Sequence, residues 1–503
     1  MVGGGHNGLT AAAYLAGAGQ SVLVLERSER LGGACTLEQP FPDPAWLVSP
    51  CAYLVGLLHP LVIEELDLRR HGYRVHPADP HLWCPFEDGT ALTVWNDRRP
   101  TAASVAALAP GDVEGFFAYE DLFARIRRAL RAPGSDTWLG AAPDRQRIAD
   151  LLGHDREALE VVFEASIADV VEHHVHDERL RTALHGQGVI GSTAGPRDPG
   201  TAAIHLLHSM GTLEGEPGVW GYVEGGMGQV SFALAEAALK AGAVVASGVA
   251  VGAVVPGEGV RLEGGELVRA GAVVSNADPK RTLALCEGEV PEAWRQRVQA
   301  WRSEGAVVKV NCALSRLPRF PAARPGEQPH RAMVTVSGGI DATQAASEAS
   351  RRGDPAPDWC ELYFHTAYDP SVAPPGRHTM SVFAQYAPYR LAEGDWDARR
   401  DEIGDRVLAS VARVAPDVAG LVEHRQVLGP PDIEARVGLT GGHIFQGECL
   451  PDQMWDRRFP PRTAIPGLYL CGAATHPGGS VIAANGRNAA MAVLEDLGVR
   501  RLG

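Results

Sequence analysis

The chain has 503 residues, 45% of them hydrophobic, and a formal net charge of −15. A chain of this length usually divides into two or more domains, and its acidic surface would repel a phosphate backbone, which argues against nucleic acid as a partner. No two of its eight cysteines lie closer than sixteen residues. The sequence therefore has neither a redox cysteine pair nor a zinc ribbon, and no metal is predicted.

No apolar run reaches the ~20 residues that a membrane-spanning helix needs. The best candidate, residues 51–63, is interrupted by His59 and Pro60. We predict that it forms a core helix near a cofactor, with a helix at a membrane interface as the alternative. A glycine motif begins at residue 3 and leaves no room for a signal peptide. The expected location is cytoplasmic, with peripheral contact with a membrane left open.

The first predicted elements are a glycine loop and a helix. Gly3, Gly5 and Gly8 have the spacing G-x-G-x-x-G. The first glycine allows a tight turn, the second lets the backbone approach a pyrophosphate, and the third lets a helix pack closely on a strand. The Ala-rich residues 9–18 predict that helix, whose N-terminal N–H groups would bind the anion. This pattern indicates a dinucleotide site.

A buried strand predicted over residues 21–26 ends in Glu26, eighteen residues after the last glycine of the loop. A carboxylate at that distance can accept hydrogen bonds from ribose hydroxyls. Arg27 follows, and Gly32 and Gly33 complete a spacing of an acid, five residues and two glycines. This spacing resembles the extended loop of the flavin amine oxidase and phytoene desaturase superfamily, which simple NAD dehydrogenases lack. The resemblance implies that these residues contact FAD rather than NAD.

A strand of ~5 residues normally precedes such a loop, in the middle of the sheet. Only Met1 and Val2 precede it here. We expect the central strand position to hold at most these two paired residues, because the start codon was assigned too late or the chain is truncated. Restoring about five upstream apolar residues should then raise thermal stability and flavin occupancy.

The last predicted elements form a second glycine-rich segment, residues 466–490. A short strand is predicted over 468–471, then a turn of small residues, then a helix from about residue 481. The N-terminus of a helix near a flavin would stabilise negative charge on the reduced ring. The candidate flavin contacts in this segment are Gly472, Ala473, Gly479, Ser480 and Val481.

Matching stretches along nearly the whole chain make the resemblance more specific. They are similar to the pyridine nucleotide-disulfide oxidoreductase domain-containing protein 2 family, which is related to carotenoid desaturases and retinol saturase. The family name suggests disulfide chemistry and a pyridine nucleotide. No cysteine pair exists, however, and the only other nucleotide-like loop, residues 226–231, belongs by resemblance to the FAD domain. The matching stretches are residues 199–201, 218–228, 274–279, 305–317, 383–389, 430–432 and 439–445.

The resemblance implies an α/β fold with two domains. In the superfamily a backbone group on one strand of the FAD domain contacts adenine, and the matching residue here is Val251. The expected domains are a discontinuous, Rossmann-like FAD-binding domain (1–65, 215–290 and 455–503) and a mixed α+β substrate domain (66–214 and 291–454). Patterns inside the substrate domain predict a helix over 157–171 and strands over 306–313 and 379–384.

Lys309 is the first candidate catalytic residue. It lies in the otherwise apolar strand of residues 305–311, where alternation places Val307 and Asn311 on the same face as Lys309. A buried lysine is costly unless it has a partner. The pattern resembles the amine oxidase strand whose lysine binds flavin N5 through a water. The alternative is a lysine extending into solvent from an edge strand.

His443 and His476 are further candidates for an acid or base near the ring, since histidine titrates near neutrality. The sequence favours structural hydrogen-bonding roles for both. A cluster of three histidines at residues 173–176 lacks companion ligands at metal-binding spacing.

Three functions remain open at this point. The first is an FAD-dependent oxidoreductase that oxidises or desaturates a hydrophobic small molecule by hydride transfer to flavin N5. The second is a membrane-associated polyene desaturase or isomerase, which an apolar tunnel with an exposed apolar rim would favour. The third is a flavin-binding regulatory protein with little turnover, which a closed, polar flavin face would favour. FAD is expected to be non-covalent, because no attachment motif is visible.

Overall fold

The computed structural model describes residues 1–499, so the last four residues of the predicted 455–503 segment lie outside it. The helices, in chain order, are α1 (His6–Gly17), α2 (Pro60–Glu65), α3 (Arg98–Leu108), α4 (Val113–Leu130), α5 (Arg145–Leu151), α6 (Arg156–Phe163), α7 (Ile167–His174), α8 (Glu178–Leu184), α9 (Ala202–Ser209), α10 (Gly228–Lys240), α11 (Pro279–Leu285), α12 (Glu292–Gln299), α13 (Ile340–Arg351), α14 (Trp396–Ala412), α15 (Pro430–Val437) and α16 (Ala484–Asp496).

The strands, in the same order, are β1 (Leu23–Leu25), β2 (Val75–Pro77), β3 (Leu82–Pro85), β4 (Ala91–Val94), β5 (Thr212–Leu213), β6 (Glu216–Pro217), β7 (Gly221–Val223), β8 (Val244–Ala246), β9 (Val251–Val255), β10 (Gly259–Leu262), β11 (Leu267–Arg269), β12 (Val273–Ser275), β13 (Val307–Leu314), β14 (Met333–Val336), β15 (Trp359–Tyr363), β16 (His378–Gln385), β17 (Val422–Leu428) and β18 (Leu468–Leu470).

A parallel sheet carries the glycine loop. Strand β1 pairs with β8, and β12 pairs with β18. Val2 forms parallel bridges with Leu25 and with Ser275, and so joins the two pairs into one sheet. The Leu25 N–H also donates to the Met1 carbonyl at 3.0 Å. Met1 and Val2 alone thus occupy the central strand position, as expected from the sequence.

The two faces of this sheet are covered by different elements. Helix α1 packs against α10 and α16 on one face. The antiparallel sheet β11-β10-β9 and helix α12 contribute to the core on the other face, around Val254, Trp294 and Phe459. A parallel sheet buried on both faces is the α/β arrangement that the sequence predicts.

A second, seven-stranded sheet has the order β17-β13-β16-β15-β14-β3-β4. Its neighbouring strands are antiparallel except for β14 and β3. On β13, Val308 and Val310 point into a core that includes residues of α14, such as Val407. Val307 points to the opposite face, into the core built by the helices of residues 98–209. The predicted alternation along this strand is therefore correct.

Two helix predictions need correction. The predicted helix over residues 157–171 is broken into α6 and α7, because the Ser166 side chain accepts the Asp169 N–H and begins a new helix. In the predicted core helix over 51–63, only the residues from Pro60 onward are helical. Pro60 has no N–H and takes the first helical position, while the His59 side chain accepts the Leu61 N–H at 3.2 Å.

Within residues 1–499, no helix has the length and apolarity needed to cross a membrane.

Close packing of α1 against α16 generates a stability prediction. A Cβ at Gly486 would lie 2.2 Å from the Asn7 carbonyl oxygen on α1, whereas a Cβ at Gly17 would meet nothing within 4 Å. Gly486→Ala should therefore force the helices apart and cost about 1–3 kcal/mol. Gly17→Ala, the matched control, should stabilise by about 0.4–1 kcal/mol. Thermal unfolding of the FAD-loaded proteins measures both, and equal melting temperatures for the two variants would contradict the packing argument.

Candidate functional site

One connected cavity of about 620 Å³ lies between the glycine loop and the seven-stranded sheet. The sequence-predicted residues that line it are Gly3, Gly5, Glu26, Arg27, Gly32, Gly33, Val251, Lys309, Ala473, Ser480 and Val481. The predicted residues that do not line it are Gly8, Gly472, Gly479, His443 and His476. The structure thus brings residues from the two ends of the chain together with Lys309 of the seven-stranded sheet.

The glycine loop leaves room only for backbone. A Cβ at Gly5 would lie 2.5 Å from Asn276 Nδ2, and a Cβ at Gly8 would lie 2.3 Å from the Gly3 carbonyl oxygen. Gly3 itself has a φ of +93°, which L side chains rarely adopt. The loop can therefore approach a pyrophosphate closely, and Gly8 acts through helix–strand packing rather than by facing the cavity.

Glu26 directly follows β1 and lines the cavity. Its Oε2 accepts the Gly4 N–H at 2.7 Å and its Oε1 accepts the Ser28 N–H at 2.8 Å. Each carboxylate oxygen has a further lone pair for a ribose hydroxyl. The ribose role remains a prediction that this geometry fits. The neighbouring Arg27 donates to the Ala435 carbonyl at 3.2 Å and ties the loop to α15.

Buried polar atoms without partners support a bound dinucleotide. His6 Nε2 and Asn7 Oδ1, beside the loop, and Lys309 Nζ, at the opposite end of the cavity, have no hydrogen-bond partner. Burial lowers the pKa of His6 to about 4, so its imidazole is neutral. Unpaired buried polar groups are costly, and a long polar ligand that spans the cavity would satisfy them. The residues present fit FAD.

The closing segment forms a wall of the cavity beside the loop. A Cβ at Gly472 would meet Gln446 Oε1 at 2.3 Å, and a Cβ at Gly479 would meet the Phe445 side chain at 2.2 Å. Both glycines therefore allow close packing behind the wall. The predicted helix start at residue 481 is wrong: α16 begins at Ala484, because Ser480 and Ala483 have φ values of 87° and 65°, which a right-handed helix excludes.

Arg458 holds this wall from behind and was not found from the sequence. Its guanidinium is 1% exposed and donates to the carbonyls of Ala473 at 2.7 Å, Phe445 at 2.9 Å and Glu448 at 2.9 Å. Burial lowers its pKa. The contacts fix the backbone of Ala473, a cavity residue. One arginine among 43 in the chain gives no signal of this role.

His443 and His476 are buried away from the cavity. His443 Nδ1 accepts the Phe445 N–H at 3.2 Å, and its Nε2 lies 3.9 Å from Glu448 Oε2. His476 Nε2 donates to the Thr137 carbonyl at 2.6 Å, and burial lowers its pKa to about 4. These contacts favour the structural alternative for both histidines over a direct role at the ring.

Lys309 lies at the inner end of the cavity, in an interior strand of the seven-stranded sheet. Its side chain is 2% exposed, so the alternative of a solvent-exposed edge lysine is wrong. Its Nζ lies 3.7 Å from the Tyr53 ring centroid, a cation–π distance. Burial places the Lys309 pKa well below its ordinary value.

Glu361 shares this end of the cavity and was missed by the sequence analysis. In the sheet register Lys309 lies opposite Phe383, and Phe383 lies opposite Glu361. Gln187 and Tyr363 donate hydrogen bonds to its two oxygens. Burial raises the pKa of Glu361 to about 7, although its donors and Lys309 oppose the shift. A single charge in an apolar strand, the signal that identified Lys309, also marks this position.

No group of three or more metal-ligating side chains occurs in the part of the chain that the structure describes. In the histidine cluster, His174 Nδ1 bonds the Val170 carbonyl at 2.9 Å and His176 Nδ1 bonds Asp112 at 3.0 Å. Both rings therefore have local protein partners.

Comparison with known proteins agrees with this architecture. The NAD(P)-binding Rossmann-like domain model matches residues 1–57, and the model of flavin containing amine oxidoreductases matches residues 127–494. The solved structure of putrescine oxidase with bound putrescine has a TM-score of 0.61 at 18% identity, and the match covers 99% of this chain and 98% of that one. Because the flavoprotein model matches most of the chain, the protein belongs to the flavin-containing amine oxidoreductase family.

Two relatives narrow the assignment. Pyridine nucleotide-disulfide oxidoreductase domain-containing protein 2 of Mus musculus is 35% identical over 99% of this chain and 93% of its own length. A limonene dehydrogenase subunit of Castellaniella defragrans is 26% identical over 99% of this chain and 94% of its own length. The chain is an FAD-dependent oxidoreductase of the group that contains the mouse protein, which confirms the family and the cofactor predicted from the sequence.

The geometry of Glu26 predicts its effect on cofactor affinity. Glu26→Ala removes charge-assisted hydrogen bonds to ribose, each worth about 1.5–3 kcal/mol, so FAD should bind at least tenfold more weakly while the protein stays folded. Glu64→Ala, at an exposed position on α2, is the control. Titration of the apoprotein with FAD measures both affinities, and an unchanged affinity in Glu26→Ala would rule out the ribose role.

FAD should be released by acid precipitation and leave a colourless pellet, because no cysteine at the site is activated for attachment. Burial raises the pKa of Cys51, which lines the cavity, to about 11, and that of Cys471 to about 12. Both thiols are thus protonated at neutral pH. Cys51→Ala should release the same fraction of FAD as the wild type. A yellow wild-type pellet would contradict the prediction.

Burial of Glu361 predicts a pH-dependent stability. Its pKa in the folded protein is about 7, above the ordinary value of 4.5, so the folded state binds the proton more tightly. This contribution is fully present below pH 4.5 and is lost as the pH rises through 7. Glu361→Gln mimics the protonated acid at every pH. Its melting temperature relative to wild type should therefore rise between pH 5 and pH 8, and a constant difference would contradict the assignment.

Proposed function

We propose that this oxidoreductase oxidises or desaturates a hydrophobic small molecule. The observation that carries the proposal is the continuity of one cavity from the glycine loop to an apolar chamber on the seven-stranded sheet. A cofactor held by the loop would therefore meet a substrate without crossing bulk water. The apolar residues that line this chamber are Leu54, Ile190, Trp220, Val307, Met333, Phe383, Ile444 and Phe445.

The relatives support an apolar substrate. The limonene dehydrogenase of Castellaniella defragrans takes its name from a hydrocarbon, and apolar walls recognise such molecules by burying their surface. Putrescine oxidase binds a diamine in a similar fold, but fold alone does not fix the substrate. The lining of this chamber favours the hydrophobic class.

When bound, FAD supplies the acceptor of the substrate's hydride. The chain's own contribution is orientation and the exclusion of water. Arg458 fixes the backbone of Ala473, and the close-packed Gly472 and Gly479 let the wall approach the ring position. The N–H groups of Lys309 lack a protein acceptor and would be free to hold a water near the bound flavin, which is the role that the resemblance to amine oxidases implies.

The alternative functions have less support. The large hydrophobic residues exposed within residues 1–499 are Leu239, Val244 and Leu497, and none of them lines the cavity. An exposed apolar rim, which would favour a polyene desaturase acting at a membrane, is therefore not formed by these residues. The apolar lining of the chamber also disfavours a regulatory protein with a closed, polar flavin face.

Anaerobic mixing of the FAD-loaded protein with a panel of terpenes, long-chain alcohols and polar amines tests the proposal. Bleaching of the flavin absorption by hydrophobic members, with half-saturation at lower concentrations than polar members, is the expected result. Bleaching by polar amines alone would overturn it.

Lys309→Met should leave FAD bound but slow flavin reduction or reoxidation by at least tenfold, because a thioether cannot donate to a water at the ring. General acid–base groups typically contribute about 10²–10⁴ in rate. Lys240→Met changes an exposed lysine at the end of α10 and is the matched control. Stopped-flow spectroscopy measures both half-reactions, and wild-type rates in Lys309→Met would remove the lysine from the mechanism.

A further inference from the structure

The apolar chamber ends in a pair of ionisable side chains. Lys309 and Glu361 lie on the same face of the seven-stranded sheet, one strand apart on either side of Phe383. Strands in a sheet are ~4.8 Å apart, so the two Cα atoms are about 10 Å apart. Both side chains line the cavity, and each influences the other electrostatically.

The hydrogen-bonding capacity of this pair is incompletely used by the protein. Glu361 accepts one hydrogen bond at each oxygen, from Gln187 and Tyr363, whereas a carboxylate has about four acceptor sites. Lys309 Nζ has no hydrogen-bond partner and lies 3.7 Å from the Tyr53 ring centroid. The inner end of the chamber therefore offers a ligand the free N–H donors of Lys309 and the unused acceptor sites of Glu361.

This combination distinguishes among ligand groups. A pure hydrocarbon would leave both polar side chains buried without a ligand partner, which is costly. An ammonium can donate to Glu361 but offers Lys309 no acceptor, and a carboxylate can accept from Lys309 but offers Glu361 no donor. A hydroxyl can satisfy both side chains, since its oxygen accepts a hydrogen bond from the lysine and its O–H donates one to the carboxylate.

We propose that Lys309 and Glu361 together bind the hydroxyl group of an otherwise apolar alcohol, and that this pair determines the substrate class. The inference rests on the proposed function, because it places the polar end of the hydrophobic substrate in the same chamber. The apolar body would lie against the residues that line the chamber, and Phe383 would lie beneath the carbon that bears the hydroxyl.

Four probes with the same six-carbon chain test the proposal: 1-hexanol, hexylamine, hexanoate and hexane. The FAD-loaded protein is titrated anaerobically, and binding is followed by the visible absorption of FAD and by calorimetry. If a probe reduces FAD, the concentration dependence of bleaching gives its affinity. Hexanol should bind about ten- to one-hundred-fold more tightly than hexane, and more tightly than either charged probe.

Two variants should move the preference in opposite directions. Glu361→Gln offers a carboxylate an amide N–H donor, so hexanoate should gain on hexanol by about tenfold or more. Lys309→Met removes the donor that an ammonium leaves without an acceptor, so hexylamine should gain by a similar factor. Glu348→Gln, an exposed position on α13, should leave the ranking unchanged. FAD content and melting temperature establish that each variant is folded, and a folding defect would weaken all four probes together.

The proposal is overturned if hexane binds as tightly as hexanol, if a charged probe binds best to the wild type, or if neither variant changes the ranking. Its failure is distinguishable from failure of the proposed function. If hydrophobic molecules reduce the FAD but the four probes bind with equal affinity, only the hydroxyl site is rejected. If the four probes bind with the expected order of affinities but no hydrophobic molecule reduces the FAD, the proposed function is rejected.

Discussion

The parallel pairing of strands from three distant segments is the constraint on which the cofactor site depends. Val2, β1, β12 and β18 all run in one direction, so their carboxyl ends meet at one edge of the sheet. The residues that follow each strand are the glycine loop, Glu26, Asn276 and the turn at Gly472. A ligand lying along this edge can contact all of them, although they are separated by up to several hundred residues in the chain.

The seven-stranded sheet imposes a different constraint. Its second strand, β13, is buried on both faces, so a charged residue there is costly unless it is paired. Lys309 and Glu361 have no close ion pair with each other, and both point into the cavity instead of into the core formed with α14. Burying these two polar side chains at the cavity costs more free energy than burying apolar side chains at the same positions would.

Arg458 connects two chain segments at the cavity wall. Its carbonyl acceptors belong to the segment of residues 445–454 and to Ala473. The buried guanidinium has no hydrogen-bonded carboxylate, and its charge is stabilised by backbone dipoles. Arg458 therefore holds part of the cavity wall without lining the cavity itself.

The sequence by itself determined the dinucleotide loop, the strand ending in Glu26, the closing glycine segment, the family and the cofactor. These features depend on local spacing, since a tight turn or a close helix–strand contact requires glycine at a fixed position. It also identified Lys309, because a lone charge in an apolar strand stands out. The same reasoning could have identified Glu361 in its strand, but not the fact that both residues line the same cavity.

Only the tertiary structure decided which residues face the cavity. The register of β13, β16 and β15 brings Lys309 and Glu361 together across Phe383, and pairing between distant strands cannot be derived from one sequence. His443, His476 and Gly479 do not line the cavity, and Arg458 lies behind its wall. Side-chain direction at these positions depends on long-range packing, so residue type and spacing alone do not specify it.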